Sequence, residues 1–260
     1  MPQTEILGRL GTLTTRLAQT MADVDAAQAL RFEIFHRENG AQLNTQSMTA
    51  ERDHDPFDSK CLHLLVECDG EIVGTTRLLI ARADGPAEQF YSATEFDLSP
   101  FLKAHGSTNI MELGRSCIAA EHRSRRAMEL LWHGVWTIAL RHNATTMFGC
   151  ASLPGTAPAE NETALTYLQT CATAGAMPRP LAGSARPELP QTPAHTSERR
   201  AFAALPALMK GYLRLGARIA PGAVIDHDFG TTDFFVSVEV ARINPRYLAH
   251  YGEQATRYAA

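Results

Sequence analysis

Residues 61–81 constrain the fold more than any other stretch. CLHLLVEC (61–68) and EIVGTTRLLIA (71–81) are both β-rich, and only Asp69 and Gly70 separate them. An Asp-Gly pair tolerates the positive φ angles of a tight two-residue turn, so the runs are expected to pair as an antiparallel hairpin. Arg77 lies in the second strand. There it is either an outward, solubilising residue or an inward ligand.

Residues 110–118 (IMELGRSCI) form a short apolar run with one acid, one glycine and one arginine, and the basic turn EHRSRR (121–126) follows. Met128, Leu131, Trp132, Val135, Ile138, Ala139 and His142 then repeat on one face of a helix. The whole reads as a strand–loop–helix unit. On a regular strand Glu112 and Arg115 have opposite parity and face opposite sides of the sheet. Gly114 between them marks a bulge or a close backbone approach, which would turn both charges toward one cleft and leave a backbone N–H facing it. The alternative is a plain Glu–Arg pair at a sheet edge. The helix start, with free N–H groups and partial positive charge, is where a phosphate would sit, and the arginines add full charges. Neither G-x-x-x-x-G-K-[ST] nor G-x-G-x-x-G occurs, which excludes the usual nucleotide-hydrolysing and dinucleotide-binding loops.

The remaining pattern supplies further elements. Residues 11–20 alternate like a strand after a loose tail at 1–10, and a helix is expected from Asp23 to Gly40, with Leu30, Ile34 and Phe35 inward. Residues 40–60 lose all periodicity and concentrate charge in ERDHDPFD (51–58), a solvated surface or a recognition element. His54 among aspartates hints at a metal site, but no second ligand cluster supports one, and none is expected. Residues 83–105 read as loop with one helical turn, 145–151 as a strand, 158–174 and 207–216 as helices, 232–241 as a strand and 245–251 as a short helix. Prolines at 178, 180, 187, 190 and 193 predict a mobile loop over 178–198. This order implies a mixed sheet flanked by helices in one domain, 11–252, with a C-terminal tail at 253–260.

Net charge is −4, so the whole-molecule field does not suggest a nucleic-acid binder, and attraction to an anion must be local. The five cysteines lack C-x-x-C spacing and read as buried thiols. With no signal peptide and no apolar run near the ~18 residues of a membrane span, the expected location is the cytoplasm, with at most peripheral contact at the inner membrane.

Several blocks resemble a known family. They are LRFEIF (30–35), the acidic stretch 53–58, CLHLLV (61–66), GTTRLL (74–79), ELGRSC (112–117), KGYLRLGA (210–217) and DFGTTD (228–233). In this order they resemble the ornithine–acyl-carrier-protein N-acyltransferases of bacterial ornithine-lipid synthesis, over about residues 29–251. That family is a branch of the GCN5-related N-acetyltransferase (GNAT) fold close to the autoinducer synthases. The resemblance implies an α/β (α+β) fold, with a GNAT-like mixed, mostly antiparallel central sheet flanked by helices. Related autoinducer synthases use equivalents of Arg31, Asp55, Asp58, Arg77, Glu112 and Arg115, all present here. The usual glycines of the acetyltransferase phosphate loop are replaced by Arg123-Ser124-Arg125-Arg126, which suits the single phosphodiester of a carrier protein's phosphopantetheine.

The implied reaction transfers a long-chain acyl group, of 3-hydroxy type, from acyl carrier protein to the α-amino group of ornithine. No permanently bound cofactor is expected, because phosphopantetheine is the donor arm. Glu112 is the candidate general base, Gly114 marks the oxyanion donor, and Arg115 completes the catalytic stretch. Arg31, Arg77 and Arg115 either hold the substrate carboxylate or order the acidic loop; Asp55 and Asp58 either hold an ammonium or lock that loop. Arg123, Ser124, Arg125 and Arg126 are the candidates for donor binding. Glutamine as substrate, an autoinducer-type synthase using S-adenosylmethionine, and a non-catalytic acyl-carrier-protein sensor are the alternatives.

Overall fold

The computed structural model describes residues 5–42, 44–188, 197–243, 247 and 258–259. The chain opens with β1 (Gly8–Leu10) and β2 (Leu13–Leu17), which pair antiparallel. The end of the expected tail is thus a strand, and Gly11, at φ 69°, makes the reversal inside the run read as one strand. In α1 (Met21–Phe32), Thr20 Oγ1 accepts from the Asp23 N–H at 3.1 Å and the Asp23 carboxylate accepts from the Thr20 N–H at 3.0 Å. This reciprocal cap puts Asp23 within the first turn rather than at the start. A π-helical stretch, Glu33–Glu38, continues α1, and Gly40 at φ 78° follows its end.

A short helix, α2 (Thr45–Ala50), falls in the region where periodicity was lost. The expected hairpin follows as β3 (Leu62–Cys68) and β4 (Glu71–Arg82), turning through positive φ at Asp69 (51°) and Gly70 (89°). Residues 83–105 are more ordered than a loop, with β5 (Phe96–Asp97) and α3 (Ser99–His105). The expected strand, helix and strand come next as β6 (Asn109–Ile118), α4 (Arg125–Arg141) and β7 (Ala144–Pro154). After α5 (Glu162–Cys171), part of the proline-rich run forms β8 (Arg179–Pro180), paired with β5. Residues 189–196 of that run lie outside the described residues. The chain continues through α6 (Glu198–Ala204), α7 (Ala207–Arg214), β9 (Arg218–Ile219), β10 (Val224–Asp226) and β11 (Thr231–Glu239). The helix expected at 245–251 falls outside the described residues except for Tyr247.

The fold is mixed α/β, with mostly antiparallel strands flanked by helices. Its chain forms two compact units rather than successive domains: Met1–Ile80, Met111–Ala144 and Asn244–Ala260 in one, Ala81–Ile110 and Thr145–Ile243 in the other. In the first unit the strand order is β1-β2-β3-β4-β6. Helix α4 lies against β1 to β3 and approaches closely at Gly134, where a Cβ would come within 2.8 and 2.9 Å of the Leu64 methyls and 3.0 Å of Thr15 Oγ1. Leu64 therefore faces α4. Alternation sends its neighbour His63, and Arg77 paired directly opposite, to the other face, on which α1 places Arg31. Tyr258, in the stretch expected to be a tail, is buried and stacks on His133 at 4.4 Å. The second unit pairs β7, β11 and β10 antiparallel, with β9 also on β11, around an aromatic core. There Phe148 and Phe235 stack at 5.6 Å, and Phe101 packs on them at 5.2 and 5.1 Å.

Candidate active site

The acidic loop is not merely solvated surface: Asp53 and Asp58 are buried, while Glu51 and Pro56 remain exposed. Its main chain is docked on α1, where the Asp53 N–H donates to Gln28 O at 3.0 Å, and Ser47 of α2 exchanges hydrogen bonds with the His54 backbone. Three aspartates of the loop face three arginines, each from a different element. Arg31 Nε reaches Asp53 Oδ2 at 2.7 Å, and its Nη1 and Nη2 grip both Asp58 oxygens at 2.9 and 3.0 Å. Arg77 Nη1 bridges Asp58 Oδ1 at 3.0 Å and Asp55 Oδ1 at 2.6 Å. Arg115 Nη2 reaches Asp55 Oδ2 at 3.3 Å, and its Nε closes on Asp53 Oδ2 at 3.1 Å. The six side chains thus form a ring of alternating sign, with three charges of each kind.

Burial makes that balance necessary, because Arg31, Asp53, Arg77 and Asp58 are all buried. Unpaired, each would carry a large desolvation cost; paired and multiply hydrogen-bonded, the set is tolerated. For Asp58, burial alone would raise the carboxyl pKa, but the hydrogen bonds and charge of Arg31, then of Arg77, outweigh it and hold the group well below the usual carboxylate range. Arg77 and Arg115 thus point inward.

Arg115 turns into the buried ring, although not through glycine geometry. Arg115 itself adopts φ 52°, whereas Gly114 is not left-handed. Among the described residues the other non-glycine positions with positive φ, Glu51, Asp69 and Asn143, lie at a helix cap or in turns, so Arg115 alone bends a strand this way. Such a conformation costs about 1–3 kcal/mol, which the two carboxylates holding the guanidinium offset. A Cβ on Gly114 would meet nothing closer than Arg77 Nη2 at 3.9 Å, so neither φ nor packing demands glycine there. Glu112 is buried, and its charge is felt at Cys61, whose thiol is pushed up to about 12, first by burial. Beside this stretch Thr76 Oγ1 and Ser116 Oγ are 2.7 Å apart, and Thr76 donates to Gly114 O at 3.3 Å. Cys117 is core, as expected, with burial raising its thiol to about 12.

The basic turn splits into two parts. Arg123 donates to Ile118 O at 3.0 Å and pairs with Glu38, so it pins the turn to the π-helical stretch. Ser124 Oγ caps α4 by accepting from the Ala127 N–H at 3.3 Å. Arg125 and Arg126 are exposed; Arg125 Nε is 2.7 Å from Glu129 Oε1.

Sequence reasoning missed Asp53 as a ring member, Gln28, His63 and the Thr76–Ser116 pair. Gln28 was accessible, since it lies one turn before Arg31 on the same helical face. Among the described residues, Glu95, Cys150 and Asp233 of the second unit are the one group with metal-ligating atoms mutually within 4.8 Å, and His54 is not part of it. No helix of the described residues is long and apolar enough to cross a membrane.

The chain is an N-acyltransferase of the GNAT class: residues 30–133 match the acetyltransferase (GNAT) domain family, and relatives over the full chain are N-acyltransferases. The chain is 42% identical to the L-ornithine N(alpha)-acyltransferase of Rhizobium meliloti (strain 1021), with 100% of this chain and 90% of the relative aligned. It is 41% identical to the enzyme of the same name from Agrobacterium fabrum (strain C58), over 97% of this chain and 89% of the relative. The chain therefore belongs to the L-ornithine N(alpha)-acyltransferase family. Two solved structures share the fold: FeeM, an N-acyl amino acid synthase from uncultured soil microbes (11% identity, TM-score 0.52, 88% of this chain and 91% of that one), and the AHL synthase LasI (13%, 0.50, 96% of each).

Proposed function

We propose that the protein acylates the α-amino group of ornithine with a long-chain, 3-hydroxylated acyl group carried as a phosphopantetheine thioester on acyl carrier protein. The product is a lyso-ornithine lipid. The observation that carries the reading is full-length identity of about two residues in five to L-ornithine N(alpha)-acyltransferases, in a chain whose buried Glu112 lies on the strand that supplies Arg115 to the ring.

In this reading the substrate ammonium first loses a proton to Glu112, directly or through one water. The free amine attacks the thioester carbonyl. A backbone N–H beside Gly114 stabilises the oxyanion, the C–S bond breaks as the C–N amide bond forms, and the thiolate leaves and takes up a proton. No covalent enzyme intermediate is required. Arg31, Arg77 and Arg115 serve to order the acidic loop, because the three aspartates already occupy their guanidinium groups. Gly114 leaves room where the thioester must approach the backbone, which fits a position that is glycine without a conformational need. Arg125 and Arg126 face the donor protein.

The test is incubation of purified protein with 3-hydroxyacyl carrier protein and a panel including ornithine, glutamine and S-adenosylmethionine, with products identified by mass. An N-acylornithine is expected. Exclusive acylation of glutamine, or a lactone formed from S-adenosylmethionine, would overturn the substrate assignment. Glu112→Gln should keep the fold and donor binding while slowing turnover at least ~10²-fold, the low end of general-base contributions. Wild-type turnover at saturating amine would remove Glu112 from the mechanism.

A further inference from the structure

We propose that His63 is a positioning residue for this site: its Nε2–H holds the main chain at Asp58, and so sets the aspartate that joins Arg31 to Arg77. The kinetic side of this role rests on the acyl-transfer reading above, whereas the structural side stands without it.

His63 is 4% exposed on β3, next to Leu64, Leu65 and Val66, which are fully buried and apolar. Burial alone would select another apolar side chain at position 63. The imidazole instead leaves its Nδ1 buried without a hydrogen-bond partner, which is unfavourable. What it supplies in return is one contact, Nε2 to Asp58 O at 3.1 Å. A carbonyl can only accept, so Nε2 carries the proton, and in the neutral ring Nδ1 is the bare nitrogen.

The charged groups around the ring keep it in that state. Arg31 reaches it from α1, Arg77 from β4 and Asp58 from the 3-10 turn Asp58–Lys60. Burial, which acts first, and the two guanidinium groups oppose a further positive charge, and together they outweigh the pull of Asp58 and lower the imidazole pKa. A neutral donor is what this place allows. Lysine or arginine would unbalance a ring that contains equal charges, and an apolar residue would release the Asp58 carbonyl.

The consequences converge on Asp58. Its carbonyl also accepts from the Cys61 N–H at 3.2 Å, and its side chain holds Gln28 at 2.9 Å, Arg31 at 2.9 and 3.0 Å and Arg77 at 3.0 Å. A shift of this main chain misaligns both arginine links together. Arg77 Nη2 is in turn the atom that a Cβ at Gly114 would meet first, at 3.9 Å. The path from His63 thus runs through two contacts, His63 to Asp58 and Asp58 to Arg77, and ends at a guanidinium that borders the open space over Gly114.

Three variants separate the N–H from mere bulk. His63→Gln can place an amide N–H near the Nε2 position; His63→Asn is shorter and places its amide near Nδ1; His63→Leu keeps burial without a donor. The measurements are kcat and KM, hydrogen exchange of the Asp58 and Cys61 amides, and the imidazole ¹⁵N spectrum of wild-type protein against pH. His63→Gln should stay within about 3-fold of wild-type kcat, while His63→Asn and His63→Leu fall about 10-fold or more with donor KM little changed. The same two variants should exchange the Asp58 and Cys61 amides faster. The wild-type ring should show the neutral Nε2–H tautomer and titrate below the ordinary histidine range. Equal loss in Gln and Leu variants, wild-type exchange in the Leu variant, or an ordinary imidazole titration would overturn the role. Should His63→Leu fail to fold, Gln against Asn decides. If wild-type protein does not acylate ornithine, the functional reading fails, and the exchange and ¹⁵N measurements still judge His63.

Discussion

Asp58 receives two guanidinium groups and an amide on one buried carboxylate, so its removal should be felt as a lost ion pair rather than as a lost surface contact. Asp58→Asn keeps the shape but leaves Arg31 and Arg77 undercompensated, and should lower stability by about 3–5 kcal/mol, read as a fall in urea midpoint. The pH dependence has a definite sign. The folded pKa of Asp58 is depressed, so its contribution is complete above the ordinary value of 3.8 and is lost as pH falls through the depressed one. His63 is also depressed: its contribution is complete above 6.5 and erodes below, because the unfolded imidazole takes a proton that the folded one refuses. The urea midpoint should therefore begin to drop near pH 6.5, and His63→Gln should remove that part of the drop while retaining the loss at lower pH. Gly114 gives the opposite pairing of effects. Its backbone conformation suits any residue and a Cβ has room, so Gly114→Ala should raise stability by about 0.4–1 kcal/mol through the unfolded state, yet reduce acyl transfer. An equally active alanine enzyme would show that nothing approaches the backbone there. All six ring residues were visible in the sequence as charges, but their pairings span separations that no local pattern encodes, such as the 62 residues between Arg115 and Asp53.

Elements were legible where their signal is local. The hairpin announced itself by Asp69-Gly70 and two β-rich runs, and α4 by an apolar stripe over several turns. Short pieces were not: α2 and α6 have six and seven residues, too few for periodicity to emerge from composition, and β8 pairs only because β5 lies beside it. The bend at Arg115 was placed on Gly114 because propensity favours glycine, whereas tertiary ion pairs decide which residue takes the left-handed conformation. Gly134 shows the same competition in the middle of α4. Alanine there gains about 1 kcal/mol of helix propensity. Its Cβ, however, would lie 2.8 Å from Leu64 and 3.0 Å from Thr15 Oγ1, and that hydroxyl is held by Leu65 O at 2.8 Å. Overpacking should win, giving Gly134→Ala a net loss of about 1–3 kcal/mol in chemical unfolding. A stabilised variant would mean that α4 can move off the sheet without cost.

On the scale of the whole molecule, a net charge of −4 is set against a local basic turn at the start of α4. Its three arginines are engaged differently: Arg123 is tied to Glu38 and Ile118 O, while Arg125 and Arg126 are exposed on the first helical turn. The carrier protein proposed above as donor is an acidic helical partner with a phosphate on its prosthetic arm, and a helix N-terminus with exposed arginines would complement both charges. Electrostatic complementarity acts mainly on association and is screened by salt over about 8 Å at physiological ionic strength. Arg125→Glu with Arg126→Glu should therefore raise KM for acyl carrier protein strongly, chiefly through slower association, and leave the amino-acid KM almost unchanged. Because Arg125 also meets Glu129, reversal of Arg125 alone could act through the helix; thermal unfolding of the double variant controls for that. In wild-type protein, affinity for the carrier should fall as salt rises, and the doubly reversed protein should have lost most of that dependence. Retention of the wild-type carrier KM in the double variant, or salt-independent use of the matching acyl-CoA with equal efficiency, would overturn carrier docking at this turn.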